Sequence, residues 1–443
     1  MKAVIALMAL ALLSACGEPR PATQQGSVCH QVATVGYVPY PWPDILRSPA
    51  AMLRSAAPRQ AVEVQLPAAH NDFREGLARL HSGRMRGPEP LRVLAVSAGG
   101  SWGAFSLGFI DGWGHNQRDP RPSFEIVTGV STGAMIAPIA FLEEAARVPC
   151  PGGVECPPGL VGLREIYARL TDEQVVEKRP LLSLLSATSV YGTAGLRKKV
   201  ESIVSPELVA RIAAEHKRGR SLLVMAVNLD SGMPEPFNLT EIAAGSGSTD
   251  ARRQRIIDII MASAATPIAF PPVFIAGNMY VDGGARRHVF LLDQVVTAIM
   301  GDPQGQPQAG LQRYTIKPGA RPVDLSIVVS GDMKVMPDCT GKDGLDLLSI
   351  AKRTMSVSTD QLLRDSVEVL LLKVGQSGGR ARFIDAASLV NYPAPDGAPL
   401  PGGGPCTVPL PGGEIFNTRL QACLDKHGYR LGQSDKIPWR TTP

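Results

Sequence analysis

Phe124-Glu125-Ile126-Val127-Thr128-Gly129-Val130-Ser131-Thr132-Gly133-Ala134-Met135-Ile136-Ala137-Pro138-Ile139-Ala140 changes its pattern twice. Phe124 to Thr128 is a short run of apolar and β-branched side chains, which suits a buried strand. Ala134 to Arg147 begins small and apolar, as a helix packed under a sheet must be. Gly129 to Gly133 is left as a sharp turn between them, with Ser131 at its centre. Such a turn projects its central side chain, while the helix behind it supplies amide donors and the positive end of its dipole. Gly129 and Gly133 flank the serine with residues small enough for the backbone to bend and a substrate to approach.

The same layout stands one unit upstream. Leu91-Arg92-Val93-Leu94-Ala95-Val96 reads as a buried strand, Ser97 to Ser101 as a Gly-rich stop and Trp102 to Trp113 as a helix. Further strands are expected at Leu222–Asn228, Met279–Val281 and Leu325–Val329. Helices are expected at Leu196–Val204, Pro206–His216, Arg252–Ala264 and Leu345–Leu372, with a last one near Phe416–His427 after a turn-rich loop at 391–414. Strands alternating with helices predict an α/β fold with a mainly parallel sheet.

Gly-x-Ser-x-Gly spacing is weak evidence by itself. Gly375-Gln376-Ser377-Gly378-Gly379 repeats it ahead of Arg380-Ala381-Arg382-Phe383, which reads as a solvated turn entering an edge strand. Ser131 alone has a strand before it and a helix after it. Ester hydrolysis develops negative charge on the carbonyl oxygen, and Gly-rich turns expose amides that can meet it. Ser97-Ala98-Gly99-Gly100-Ser101-Trp102-Gly103 closes the preceding strand, where such amides are useful, and the Thr132 amide is a further donor. Ala98-x-Gly100-x-x-Gly103 nearly matches a dinucleotide fingerprint. The acidic residue wanted at the end of the next strand is absent, and Thr128 to Ser131 stand there. A proton acceptor is offered by Val281-Asp282-Gly283-Gly284, although Asp-Gly-Gly alone reads as a hairpin turn.

A Gly-rich loop, Gly-x-Ser-x-Gly and Asp-Gly-Gly, in that order, resemble the patatin-like phospholipase family from about Leu91 to about Gly284. Ala262-Ser263-Ala264-Ala265-Thr266-Pro267 with Phe270-Pro271-Pro272 is similar to the family's Ala-Ser-x-Ala-x-Pro…Phe-Pro-Pro stretch. Asn228-Leu229-Asp230-Ser231-Gly232 is similar to its mid-domain strand and turn, and Gly428-Tyr429-Arg430-Leu431-Gly432 resembles endings of bacterial members. The resemblance implies a three-layer α/β fold, its mainly parallel central sheet flanked by helices. It implies Ser131 as nucleophile and Asp282 as base of a dyad without His. The oxyanion amides would come from Gly99, Gly100 and Ser101, and the elbow from Gly129 and Gly133. The substrates it implies are lipid acyl esters, cleaved through an acyl-enzyme as by a phospholipase A or lysophospholipase, with no cofactor. The family's Asp-Gly-Gly-Gly-x-Arg-Gly loop departs here, with Ser97 for Asp, Ala98 for the first Gly and Trp102 for Arg. Trp102 thereby removes a positive side chain that could assist phosphate-bearing substrates. An ordinary Asp is a weak base, so such a dyad demands burial that raises its pKa.

Two other readings remain. A Ser-His-Asp triad would draw on Asp230 or Asp282 with His288 or His427, and His288, after Arg286-Arg287, reads as solvated. A catalytically silent lipoprotein would use the cleft to bind lipid, and the altered Gly-rich loop favours it.

The remainder of the chain suggests where such a protein works. Lys2 and the apolar run Ala3 to Leu13 lead to Ser14-Ala15-Cys16, an export signal too short to span a bilayer. Leu13-Ser14-Ala15-Cys16 resembles the bacterial lipobox, which implies lipidation and membrane anchoring through Cys16. Gly17 after it implies the outer membrane. Cys29, Cys150, Cys156, Cys339, Cys406 and Cys423 remain, an even set compatible with disulfides, and Cys150 with Cys156 is the expected local staple. No thiol or His spacing suits a metal. A formal charge of +5 over 443 residues does not indicate nucleic-acid binding, and the expected partners are membrane lipids or other acyl esters. The expected plan is a signal at 1–15, an anchor and tether at 16–45, an extension at 46–88 and an acyl hydrolase domain at 89–435.

Overall fold

Leu91-Arg92-Val93-Leu94-Ala95-Val96 buries every side chain but Arg92. A strand covered on both faces belongs inside a sheet that is itself covered on both faces. In the computed structural model, β1 (Leu91–Val96) lies between β2 (Ile126–Val130) and β9 (Val323–Val328), parallel to both. The structure describes residues 88–142, 159–175, 177–178, 189–291, 321–333, 347–386 and 416–442. The export signal, Cys16, the tether, the extension as far as residue 87, the Cys150–Cys156 loop and the loop at 391–414 lie outside the described residues.

The sheet runs β10 (Arg380–Ile384), β9, β1, β2, β5 (Ser221–Asn228), β8 (Asn278–Asp282), β7 (Val273–Ile275). It is parallel from β10 to β5, while β8 and β7 are antiparallel additions. A small separate ladder joins β3 (Glu177–Lys178) to β4 (Tyr191–Gly192).

Register at β5 decides where the site forms. Along one edge, β6 (Met233–Asn238) pairs with β5 from Leu223 to Asn228. The opposite edge is shared. β2 occupies it up to Val130 opposite Met225, and β8 occupies it from Asp282 opposite Ala226. Because β8 runs antiparallel to β5, the C-terminal ends of β2 and β8 meet head to head. Ser131 follows Val130, so backbone pairing alone delivers it beside Asp282.

Helices cover both faces. On one lie α1 (Gly103–Gly114), α2 (Thr132–Phe141), α3 (Leu160–Ala168), α4 (Asp172–Val175), α5 (Ala194–Ile203), α6 (Pro206–Lys217), α7 (Leu239–Ala244), α8 (Thr249–Ser263) and α10 (Thr418–Gln433). Their core includes Phe105, Trp113, Ile136, Leu163, Val200 and Leu424. On the other lies the second half of α9 (Leu347–Gln376), from Leu362 onward, whose Leu363, Val367, Leu370 and Val374 form a helical stripe against Leu325 and Ile327. Ser205, Asn238, Ser248 and Asn417 cap α6, α7, α8 and α10 by accepting first-turn amides. The chain divides into two compact units, Leu53–Met333 with Leu362–Pro443, and Met1–Met52 with Lys334–Gln361. The second is described only over Leu347–Gln361, the first half of α9.

α1 and α10 interlock through glycines. Added methyl groups at Gly108 and Gly112 would stand 2.0 and 2.2 Å from backbone oxygens of Asp425 and Tyr429, and one at Gly428 would stand 2.2 Å from that of Phe105. The Gly428–Gly432 ending is therefore a packing surface. Cys423 on α10 is disulfide-bonded.

Several elements differ from expectation. β2 begins two residues later than predicted and α2 ends at Phe141 rather than Arg147. Ser377 is buried, not solvated: its hydroxyl donates to Val374 O at the end of α9. Its Gly-x-Ser-x-Gly match is a helix terminus, completed by Gly378 at φ 71°.

Gly428→Ala should destabilise the fold by about 1–3 kcal/mol, the usual cost of overpacking, while Lys426→Ala on the exposed side of α10 leaves it unchanged. Thermal unfolding of the two variants checks this.

Candidate active site

Ser131 is the single residue between β2 and α2, held at φ 54°, ψ −118°. The elbow is thus tighter than the five-residue turn read from the sequence. Gly129 lies within β2 and Gly133 within α2. Both are needed for close approach rather than for turn conformation. A methyl group at Gly129 would stand 2.3 Å from Gly133 O, and one at Gly133 would stand 2.3 Å from Val96 O.

Asp282 ends β8 instead of sitting on the turn after it. Its Oδ1 accepts the Gly284 amide at 2.7 Å and its Oδ2 accepts the Thr266 hydroxyl at 3.1 Å. Only 5% of the residue is exposed. Burial pushes its pKa up to about 6, opposed by the neighbouring Ser131 side chain and by the hydrogen bonds from Gly284 and Thr266. The direction of the shift, set by desolvation, is the one the sequence reading asked of Asp282.

Ser263 to Thr266 tie the two strand ends together. Ser263 Oγ accepts the Ser131 amide at 2.9 Å and donates to Met225 O at 2.7 Å. Ala265 O accepts the Asp282 amide, and Thr266 holds the Asp282 carboxyl. The Ala-Ser-x-Ala-x-Pro motif signalled this segment, but nothing in its residue types disclosed that it holds both ends.

No imidazole joins Ser131 to Asp282. His288 is buried rather than solvated, because Val289, Phe290 and Leu291 belong to the core on the α9 face and draw it inward. Its ring nitrogens have no hydrogen-bond partner among the described residues, and burial lowers its pKa to about 4, opposed by the nearby Ala98 backbone. His427 packs against Phe105, with ring centres 5.8 Å apart. Asp230 accepts the Met279 amide at 2.8 Å and closes the far end of β8. Asp230 and His427 are engaged elsewhere, and no hydrogen bond joins His288 to Ser131 or Asp282 among the described residues.

In the Gly-rich loop, the Ser97, Ala98 and Trp102 amides are engaged by Val328 O, His288 O and Gly99 O. Those of Gly99, Gly100 and Ser101 are unengaged among the described residues. Gly100, at φ 55°, shares a cavity wall with Ser131 and Thr132. The departures from the family loop have local accounts. Ser97 Oγ donates to Ala98 O and accepts the Ser330 amide, each at 2.7 Å. The Ala98 methyl fits because Gly284 faces it without a side chain. Trp102 packs against the core. The cavity has a volume of about 170 Å³, and Met135, Ile166, Leu170, Leu196 and Phe270 make most of its wall apolar.

The model of the patatin-like phospholipase family matches residues 94–293, which span the Gly-rich loop, Ser131 and Asp282. Among solved structures, VipD from Legionella pneumophila is similar at 15% identity and a TM-score of 0.28. That similarity covers 78% of this chain and 66% of VipD, just under two thirds of that protein. No curated protein matches the chain.

Two variants test the geometry. A carboxyl whose folded pKa, about 6, exceeds its ordinary 3.8 holds its proton more tightly in the folded state. Its stabilising effect, full at low pH, is lost as pH rises through 6. Asp282→Asn should therefore lose turnover yet unfold at pH 8 no more easily than wild type. Ser263→Ala leaves the Ser131 amide and Met225 O unpaired and should cost about 1–3 kcal/mol in denaturant unfolding.

Proposed function

We propose, on the premise that residues 94–293 form a patatin-like phospholipase domain, that the protein is a lipid acyl hydrolase working through a Ser131–Asp282 dyad. The observation that carries this reading is the meeting of the ends of β2 and β8 on one edge of β5, which sets Ser131 beside a buried carboxyl whose pKa is raised to about 6. Ser131 Oγ attacks the ester carbonyl carbon as its proton passes to Asp282. The amides of Gly99, Gly100 and Ser101 receive the resulting oxyanion. On collapse, the bond to the alcohol breaks and Asp282 returns the proton to the departing oxygen, leaving an acyl-enzyme. Water, deprotonated by Asp282, then attacks the acyl carbon. The second collapse expels Ser131 Oγ, which regains its proton, and releases a fatty acid. The apolar cavity wall suits the acyl chain.

We further propose that the chain is exported and held at the bacterial outer membrane by a lipid on Cys16. The disulfide at Cys423 is in keeping with an oxidising compartment.

Protein lacking its anchor should release fatty acid from phospholipids, lysophospholipids or simple acyl esters. A fluorophosphonate should label Ser131, and Ser131→Ala should lose both properties. A folded wild-type protein that is neither labelled nor active would support the silent lipid binder.

A further inference from the structure

An acyl chain needs an apolar wall, yet a lysine is among the residues that line the cavity at Ser131. Lys199 is the sole charged side chain of its wall among the described residues. It stands on α5 between Leu196 and Ile203, and all three line the cavity, as the helical repeat allows. Arg197, its neighbour on the same helix, is taken up by Asp258 at 2.6 Å and Glu201 at 3.8 Å. The Lys199 ammonium makes no such pair among the described residues, and the Ser202 hydroxyl donates to its backbone oxygen, not to its side chain.

Lys199 is a half-buried residue whose side chain shares the wall with Leu196, Ile203 and Phe416, and its ammonium has water for its polar contacts. A lipid entering the cavity displaces that water. The ligand must then present an anion or forfeit affinity. In a glycerophospholipid, apolar chain, ester and phosphate follow within a few bonds, which matches a cavity that combines an apolar wall, a serine and one cation. The Gly-rich loop supplies no cation of its own, since Trp102 stands where the family pattern has Arg.

We propose that Lys199 is a specificity determinant that receives the phosphate of a lipid head group and favours phosphate-bearing acyl lipids over neutral ones. The proposal rests on the acyl hydrolase reading of the cavity, and its test does not require hydrolysis. The decyl-ether analogue of lysophosphatidylcholine and decylglycerol share a chain, lack a scissile ester and differ in the phosphate-bearing head group. Their affinities would be measured by calorimetry, below their micellar concentrations, for wild type, Lys199→Gln and Lys199→Arg. Wild type should prefer the phosphate-bearing ligand. Lys199→Gln should reduce that preference by about tenfold, the scale of one charge-assisted hydrogen bond, while Lys199→Arg retains most of it. Equal weakening of both ligands in Lys199→Gln would assign the lysine to packing and overturn the proposal. So would an unchanged preference, or binding of neither ligand by wild type. Preference without hydrolysis of any ester would leave Lys199 as an anion site and remove the dyad mechanism. Hydrolysis without preference would do the reverse.

Discussion

One edge of β5 carries two strands, and the candidate site depends on that sharing. β2 arrives in parallel and ends opposite Met225, while β8 arrives antiparallel and ends opposite Ala226. Each strand is held by its own ladder, so the end-to-end meeting adds no side-chain entropy. It places a strained serine beside a carboxylic acid with no intermediary. Ser263 to Thr266 then restrain both ends, so an error in one register would disturb both residues together. A site built on strand ends is rigid in the way a dyad requires, because Asp282 must accept the Ser131 proton from a fixed position.

Electrostatics follow from the same packing. The glycines at 129 and 133 bring strand and helix close enough to exclude solvent from the serine. A carboxyl held in such surroundings gains basicity at a cost in stability. Hydrogen bonds from Gly284 and Thr266 limit that gain, which leaves the carboxyl between an ordinary Asp and a fully desolvated one. The buried His288 nearby adds no positive charge there, since its imidazole is neutral at the pH where Asp282 is ionised.

Much of this was legible in the sequence because it is local. The run from Leu91 to Val96 could only be a buried strand, and the change from Ile126-Val127-Thr128 to Ala134-Met135-Ile136 marked the elbow. The decoy at Ser377 was separable on context, although its burial was not foreseen. What stayed hidden depends on distant contacts. The burial of His288 is set by the three apolar residues after it. Ser263 gains its importance from Met225 and Ser131, which no spacing reveals. Lys199 lies in an unremarkable amphipathic helix, and only the fold turns it toward Ser131.

The pH dependence of kcat/KM for a soluble acyl ester tests the central claim most directly, because it reports the ionisation of the free enzyme's base. Activity should fall on the acid side with an inflection near 6 that stays in place as temperature changes, since carboxyl ionisation carries almost no enthalpy. An inflection near the ordinary Asp value, or one that shifts strongly with temperature as an imidazole's does, would contradict the account.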